Sequence, residues 1–129
     1  MPRKPSSTPT EVELEILQVL WQRGPSTVRQ VFNILKDARG TQYSTTLKMI
    51  QVMTEKGLLR RDESVRPQVY TPSRPREQTQ LQLVDYLIQT GFGGSAVDLV
   101  LRAAAANRIT TDELAQIKRM IDKARGERR

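Results

Sequence analysis

The sequence predicts a mainly α fold with one small β-hairpin: an N-terminal winged helix-turn-helix followed by a C-terminal three-helix dimerisation lobe. Three observations lead there. Three amphipathic segments of helix length precede a pair of short strand-like runs, joined by brief Gly, Pro and Ser connections. The stretch TPSRPREQTQ is then polar and proline-rich, and everything after it is helical in pattern. The positive charge is also uneven: residues 1–76 hold 13 Lys/Arg against 7 Asp/Glu, a net of +6, whereas residues 77–129 hold 8 against 7, a net of +1. The expected boundaries are a flexible arm over 1–9, a winged-helix domain over 10–72, a linker over 73–80, a helical dimerisation domain over 81–125 and a tail over 126–129.

The arm carries three Pro, two Ser and the basic pair Arg3 and Lys4, too little apolar matter to fold. Thr10 opens the first helix, with Glu13 three residues later to complete a capping box. Leu14, Leu17 and Trp21, flanked by Ile16 and Leu20, give it a broad apolar stripe, which makes Trp21 a core anchor rather than a base-stacking platform. Gly24 and Pro25 stop it. Ser26 is the expected cap of a second helix with Val28, Val31, Phe32 and Leu35 inward and Arg29, Gln30, Asn33 and Lys36 outward.

The segment 41–57, TQYSTTLKMIQVMTEKG, reads as the recognition helix, spanning 44–56. Leu47, Ile50 and Met53 mark its inner face, while Thr45, Thr46, Lys48 and Gln51 lie opposite. Ser44 is placed as its N-cap and Gly57 just past its end, where a positive φ is often needed. The hairpin LLRRDESVRPQVYTP, residues 58–72, then brackets a charged turn with Leu58, Leu59, Val69 and Tyr70; its wing spans 58–71. Arg60, Arg61 and Arg66 sit on or near its tip, Arg66 being the first choice for a phosphate. Charged residues also protect an edge strand from aggregation, and Pro67, having no amide to donate, suits an edge.

Beyond the linker, Leu81, Val84, Leu87 and Ile88 form one apolar stripe, Val97, Val100 and Leu101 a second, and Leu114, Ile117, Met120 and Ile121 a third. Ser95 follows a glycine-rich break, and Thr110 with Glu113 makes another capping box. About a dozen aliphatic residues are thin for a separate domain, so these helices are expected to need a further surface. A second copy of the chain supplies it most simply. Packing back onto the N-terminal lobe is the alternative.

Composition removes several classes of function. The chain contains neither Cys nor His, which excludes disulfides, thiolate metal sites and the commonest general base. Without paired carboxylates in a pocket-like setting, an enzyme is not expected, nor any metal or cofactor. No apolar run can cross a bilayer and no secretory signal is present, so a cytoplasmic location away from membranes is expected. The basic N-terminal half points to double-stranded DNA, with Ser44, Thr45, Thr46, Lys48 and Gln51 facing the groove and Arg60, Arg61 and Arg66 the backbone. A basic surface serving solubility, or a winged helix that binds a protein instead, remains the competing reading.

Four stretches, ELEILQVLW, YSTTLKMIQVMTEKG, RR…VYTP and GFGGSAVDLVL…ITTDELAQIK, resemble the penicillinase repressors of the BlaI/MecI type over residues 10–124. The resemblance implies a homodimeric winged-helix repressor that binds an inverted-repeat operator and silences resistance or stress genes. It puts Thr45 at the family's threonine near the start of the recognition helix and Lys48 at an outward polar position. Val52 stands where the family commonly has arginine, so a salt bridge or phosphate contact made there by relatives has no counterpart and base preference can differ. The cysteine cluster of the copper-responsive branch is missing. Relatives are cut by a protease at an Asn-Phe bond, and the aligned pair here is Arg102-Ala103. The resemblance thus leaves a regulatory protease of altered preference or a small-molecule inducer as possible partners.

Overall fold

The computed structural model describes residues 8–127, with elements α1 (Glu11–Arg23), α2 (Val28–Arg39), α3 (Tyr43–Glu55), β1 (Leu59–Asp62), β2 (Val69–Pro72), α4 (Arg76–Gly91), α5 (Ala96–Ala105) and α6 (Thr111–Glu127). Two compact units divide between Leu83 and Val84. Residues 1–7 of the expected arm lie outside the described residues, and its last residue, Pro9, is buried.

In the first unit, Thr10 caps α1 as expected: its hydroxyl accepts from the Glu13 amide at 3.2 Å and its own amide donates to Glu13 Oε1 at 2.9 Å. The buried face is Glu13, Ile16, Leu17, Val19 and Leu20, so the stripe is centred to one side of the expected line. Leu14 and Trp21 are only partly buried and pack against the core from its margin.

The cap of α2 is Thr27, not Ser26. Thr27 stands immediately before the first helical residue in extended conformation, and Gln30 at the third helical position closes a capping box with it at 2.9 and 3.1 Å. Ser26 does something else. It is fully buried and pairs with Tyr70 of β2 in an antiparallel bridge, its amide donating to Tyr70 O at 3.2 Å and its carbonyl accepting from Tyr70 N at 2.8 Å. The loop before α2 is thereby stitched to the hairpin.

α3 begins one residue earlier than expected. Its cap is Gln42, whose side chain makes no capping bond, so Ser44 is an exposed first-turn residue rather than the N-cap. At the other end Gly57 takes φ 83°, its amide donates to Thr54 O at 3.1 Å, and the Leu58 amide donates to Met53 O at 2.9 Å. These two bonds form a Schellman motif, which needs the left-handed conformation glycine adopts without strain. The chain is turned straight into β1, whose Leu59 is buried.

The hairpin pairs Leu59 with Pro72, Arg60 with Thr71, Arg61 with Tyr70 and Asp62 with Val69. Pro67 falls in the exposed turn outside this ladder, which corrects its expected edge-strand role. Ile16, Leu17, Val19 and Leu20 of α1, Val28 and Val31 of α2, Ile50 and Met53 of α3, and Leu59 and Tyr70 of the hairpin form one core. After the hairpin only residues 73–75 are free of regular structure, since α4 starts at Arg76 and occupies the rest of the expected linker. Its Thr79 is buried and, with Gln82, lines a small cavity shared with Pro9, Leu17, Leu58, Pro72 and Arg74.

The second unit contains the end of α4 with α5 and α6. Ser95 Oγ accepts from the Asp98 amide at 3.0 Å and caps α5; Thr110 and Glu113 make the expected capping box before α6 at 2.8 and 3.1 Å. Among the described residues none from 84 to 126 is buried. α6 continues through Gly126, so the expected tail begins inside a helix.

Candidate nucleic-acid interface

A helix buried on one side by Ile50 and Met53 must turn its other side out, and α3 does so with Ser44, Thr45, Lys48 and Gln51, all exposed. Among the described residues none of these four side chains has a hydrogen bond or ion pair within the chain. Ser44, Thr45 and Lys48 line, with Met49 and Val52, a shallow concavity of about 320 Å³ along the outer face. Thr46 is different. It is only 5% exposed, four residues before Ile50 and seven before Met53, and therefore on the inner stripe; its expected outward position is corrected.

On the hairpin, Arg60 and Arg66 are exposed and form no ion pair among the described residues. Arg61 is engaged: its Nε donates to Tyr70 Oη at 3.3 Å, its guanidinium lies 5.7 Å from that ring, and Nη1 stands 3.6 Å from Glu63. At the tip, Asp62 Oδ1 accepts from the amide and hydroxyl of Ser64 at 2.9 and 2.5 Å, and these bonds hold its carboxyl below the usual range.

One cation was not among the expected contacts. Arg29 of α2 stacks 4.1 Å above the ring of Tyr43, the first residue of α3, and 5.7 Å from Phe32; the two rings meet edge to face at 5.6 Å and 81°. Arg29 is exposed and has no carboxylate beside it among the described residues. The sequence signal for it was weak, because Tyr43 belongs to the next element and only packing brings it under Arg29.

Other cations work inside the scaffold. Glu13, 2% exposed, accepts from Lys56 Nζ at 2.8 Å and ties the start of α1 to the end of α3. Burial raises its pKa, but the hydrogen bonds from Lys56 and the Thr10 amide and the Lys56 charge outweigh that and hold it below the ordinary value. Arg39 at the end of α2 forks onto both oxygens of Glu15, one of them at 2.8 Å, with Glu11 at 3.6 Å. The fork lowers the Glu15 pKa.

The candidate dimer residues also have their places. Leu81, Val84, Leu87, Val97, Val100, Leu101, Leu114, Met120 and Ile121 are exposed, Leu81 at 70% and Met120 at 71%, while Ile88 and Ile117 are partly so. Among the described residues no cluster of His, Cys, Asp or Glu could hold a metal ion, and no helix is long and apolar enough to cross a membrane.

The sequence model of the penicillinase repressor matches residues 9–123. The chain belongs to the penicillinase repressor family. It is also similar to "Transcriptional regulator BlaI" of Mycobacterium tuberculosis, from strains CDC 1551 / Oshkosh and ATCC 25618 / H37Rv, each 28% identical over 113 residues, 86% of this chain and 80% of the relative. As a member of this family the chain is a transcriptional repressor. The winged helix of its first unit thus carries an exposed polar face on α3, exposed Arg29 on α2 and exposed Arg60 and Arg66 on the hairpin.

Proposed function

We propose that this penicillinase repressor acts in the cytoplasm as a homodimer that binds an inverted-repeat operator in duplex DNA and silences antibiotic-resistance or stress genes. The observation that carries the reading is the outer face of α3, where Ser44, Thr45, Lys48 and Gln51 are exposed together and, among the described residues, have no internal side-chain partners. Polar side chains projecting from one helix face can donate to base edges in the major groove, which is wide enough to admit a helix. Arg60 and Arg66, equally uncommitted, contact phosphates beside the groove. Arg61 contributes less, because it is already bonded to Tyr70 and Glu63. The apolar faces of α4, α5 and α6 join two copies, so that two recognition helices meet two half-sites about one helical turn apart.

Release follows from breaking that dimer, by a small-molecule inducer or by a protease able to accept Arg102-Ala103. The test is selection of DNA fragments by the purified protein, followed by titration of the selected duplex against salt. Each phosphate contact adds about 0.9 to the log-log slope, so Arg60 and Arg66 in two copies alone require a slope of about −3.6 or steeper. Retention of no duplex, or affinity indifferent to salt, refutes DNA binding and favours a protein-interaction module.

A further inference from the structure

Val52 stands one helical turn beyond Lys48 on the outer side of α3 and lines the same concavity with Ser44, Thr45, Lys48 and Met49. It is partly exposed, and it is not among the residues packed against the core. An isopropyl group there can neither donate nor accept a hydrogen bond. It gains free energy only by covering carbon, and the floor of the major groove offers one projecting carbon group, the C5 methyl of thymine. The charge around it supports DNA as the occupant, since Lys48 shares the concavity and the surrounding half of the chain is net positive.

We infer that Val52, backed by Met49, is a thymine-selecting residue of the recognition helix. This rests on the reading of α3 as the groove-bound helix. Side chains four apart on a helix are ~5–6 Å from each other, against about 3.4 Å per base-pair step, so the selected thymine lies one or two base pairs from the pair that Lys48 faces. Lys48, a donor, reads acceptors such as the O6 and N7 of guanine, while Val52 reads the methyl. The two side chains thus divide recognition between a polar and an apolar contact.

The test uses the full-length wild-type protein and a selected duplex in which each thymine is replaced in turn by uracil, which pairs identically and lacks only the methyl. One thymine in each half-site is expected to show a loss of about fourfold, the value of one methyl removed from water, and replacing both about fifteenfold. Val52→Ala should keep the salt slope and melting temperature of the wild type while losing this uracil penalty at that position alone. A wild-type protein indifferent to uracil at every position overturns the inference without needing any variant to fold. An equal penalty in Val52→Ala also overturns it, assigning the methyl to another side chain. Failure to retain any duplex is a separate result, and refutes the operator reading instead.

Discussion

Glu13 shows how one residue can serve two structures at once. Its carboxylate closes the capping box of α1 and accepts from Lys56 at the end of α3, although it is almost completely buried. Because its folded pKa is depressed, the stability it confers is present above its unfolded pKa and is lost as pH falls through the folded value. Lys56→Ala leaves the buried carboxylate without its cation, and is expected to cost ~1–3 kcal/mol at neutral pH and to move acid unfolding to higher pH. Glu13→Gln keeps the capping box and should flatten that pH dependence. Circular dichroism followed from pH 7 down to pH 2 checks both; an unchanged acid midpoint in Lys56→Ala would show the pair to be idle. Arg29 poses the complementary case of an exposed cation held in position by a ring rather than a carboxylate. Stacking uses the face of the guanidinium and leaves its edge donors for a phosphate. Arg29→Ala should therefore weaken all DNA sequences alike and reduce the salt slope by about 0.9 per lost contact, whereas Lys48→Ala should change sequence preference by ~1–3 kcal/mol. Binding series on matched and mismatched duplexes separate the two patterns.

At the scale of elements, the phase of each helix decides which polar groups are available. Thr45 and Thr46 are neighbours in sequence, yet a step of 100° around α3 leaves the first exposed and buries the second beside Ile50. Thr45→Val is expected to alter DNA recognition and Thr46→Val to leave sequence preference intact, as measured by fluorescence anisotropy on the selected duplex and on mismatched duplexes. An altered preference in Thr46→Val would mean that α3 is rolled in the groove. The cap of α2 gives a stability test: Thr27→Ala should lower unfolding free energy by ~1 kcal/mol, read from urea denaturation, through loss of the Gln30 amide bond. The hairpin is fastened by burial of Leu59 at its base and of Tyr70 along β2, with the Ser26 bridge to Tyr70, while the turn between its strands, including Arg66, is exposed. This combination suits a wing, since the buried base fixes the direction of the exposed cations.

For the whole molecule, the two units differ in how they can be stable. Among the described residues, the first has a core of ten buried apolar residues contributed by α1, α2, α3 and the hairpin. Among the described residues of the second none is buried, and its helices expose rows of Val, Leu, Ile and Met. Surfaces of that kind mark association sites. We expect the full chain to sediment as a dimer, and Leu101→Asp with Met120→Glu to give a monomer whose operator affinity drops at least a hundredfold, since two half-sites would no longer be held by one connected molecule. A variant that remains dimeric would move the interface elsewhere. A charge inserted in this unit should leave the core of the first unit folded, which thermal unfolding of the same variant can establish.

Much of this was written in local pattern. Helix count, the hairpin, the capping boxes at Thr10 and Thr110, the turn at Gly57 and the uneven charge follow from residue types and spacings, because caps and turns are satisfied within four or five residues. The tertiary structure alone decided matters that depend on contacts across elements. Ser26 and Thr27 are both competent caps by composition; the strand partner Tyr70, forty-four positions away, takes Ser26 for the sheet and leaves the cap to Thr27. Thr46 turns inward because the stripe of α3 is centred on Ile50 and Met53, and a period of 3.6 residues leaves the rim of an apolar face undecided until something packs on it. Arg29 and Arg61 look alike in sequence as free cations. Folding places Tyr43 under one and Tyr70 with Glu63 beside the other, so that the first is stacked on a ring and the second commits its Nε to Tyr70 and pairs with Glu63 within the hairpin.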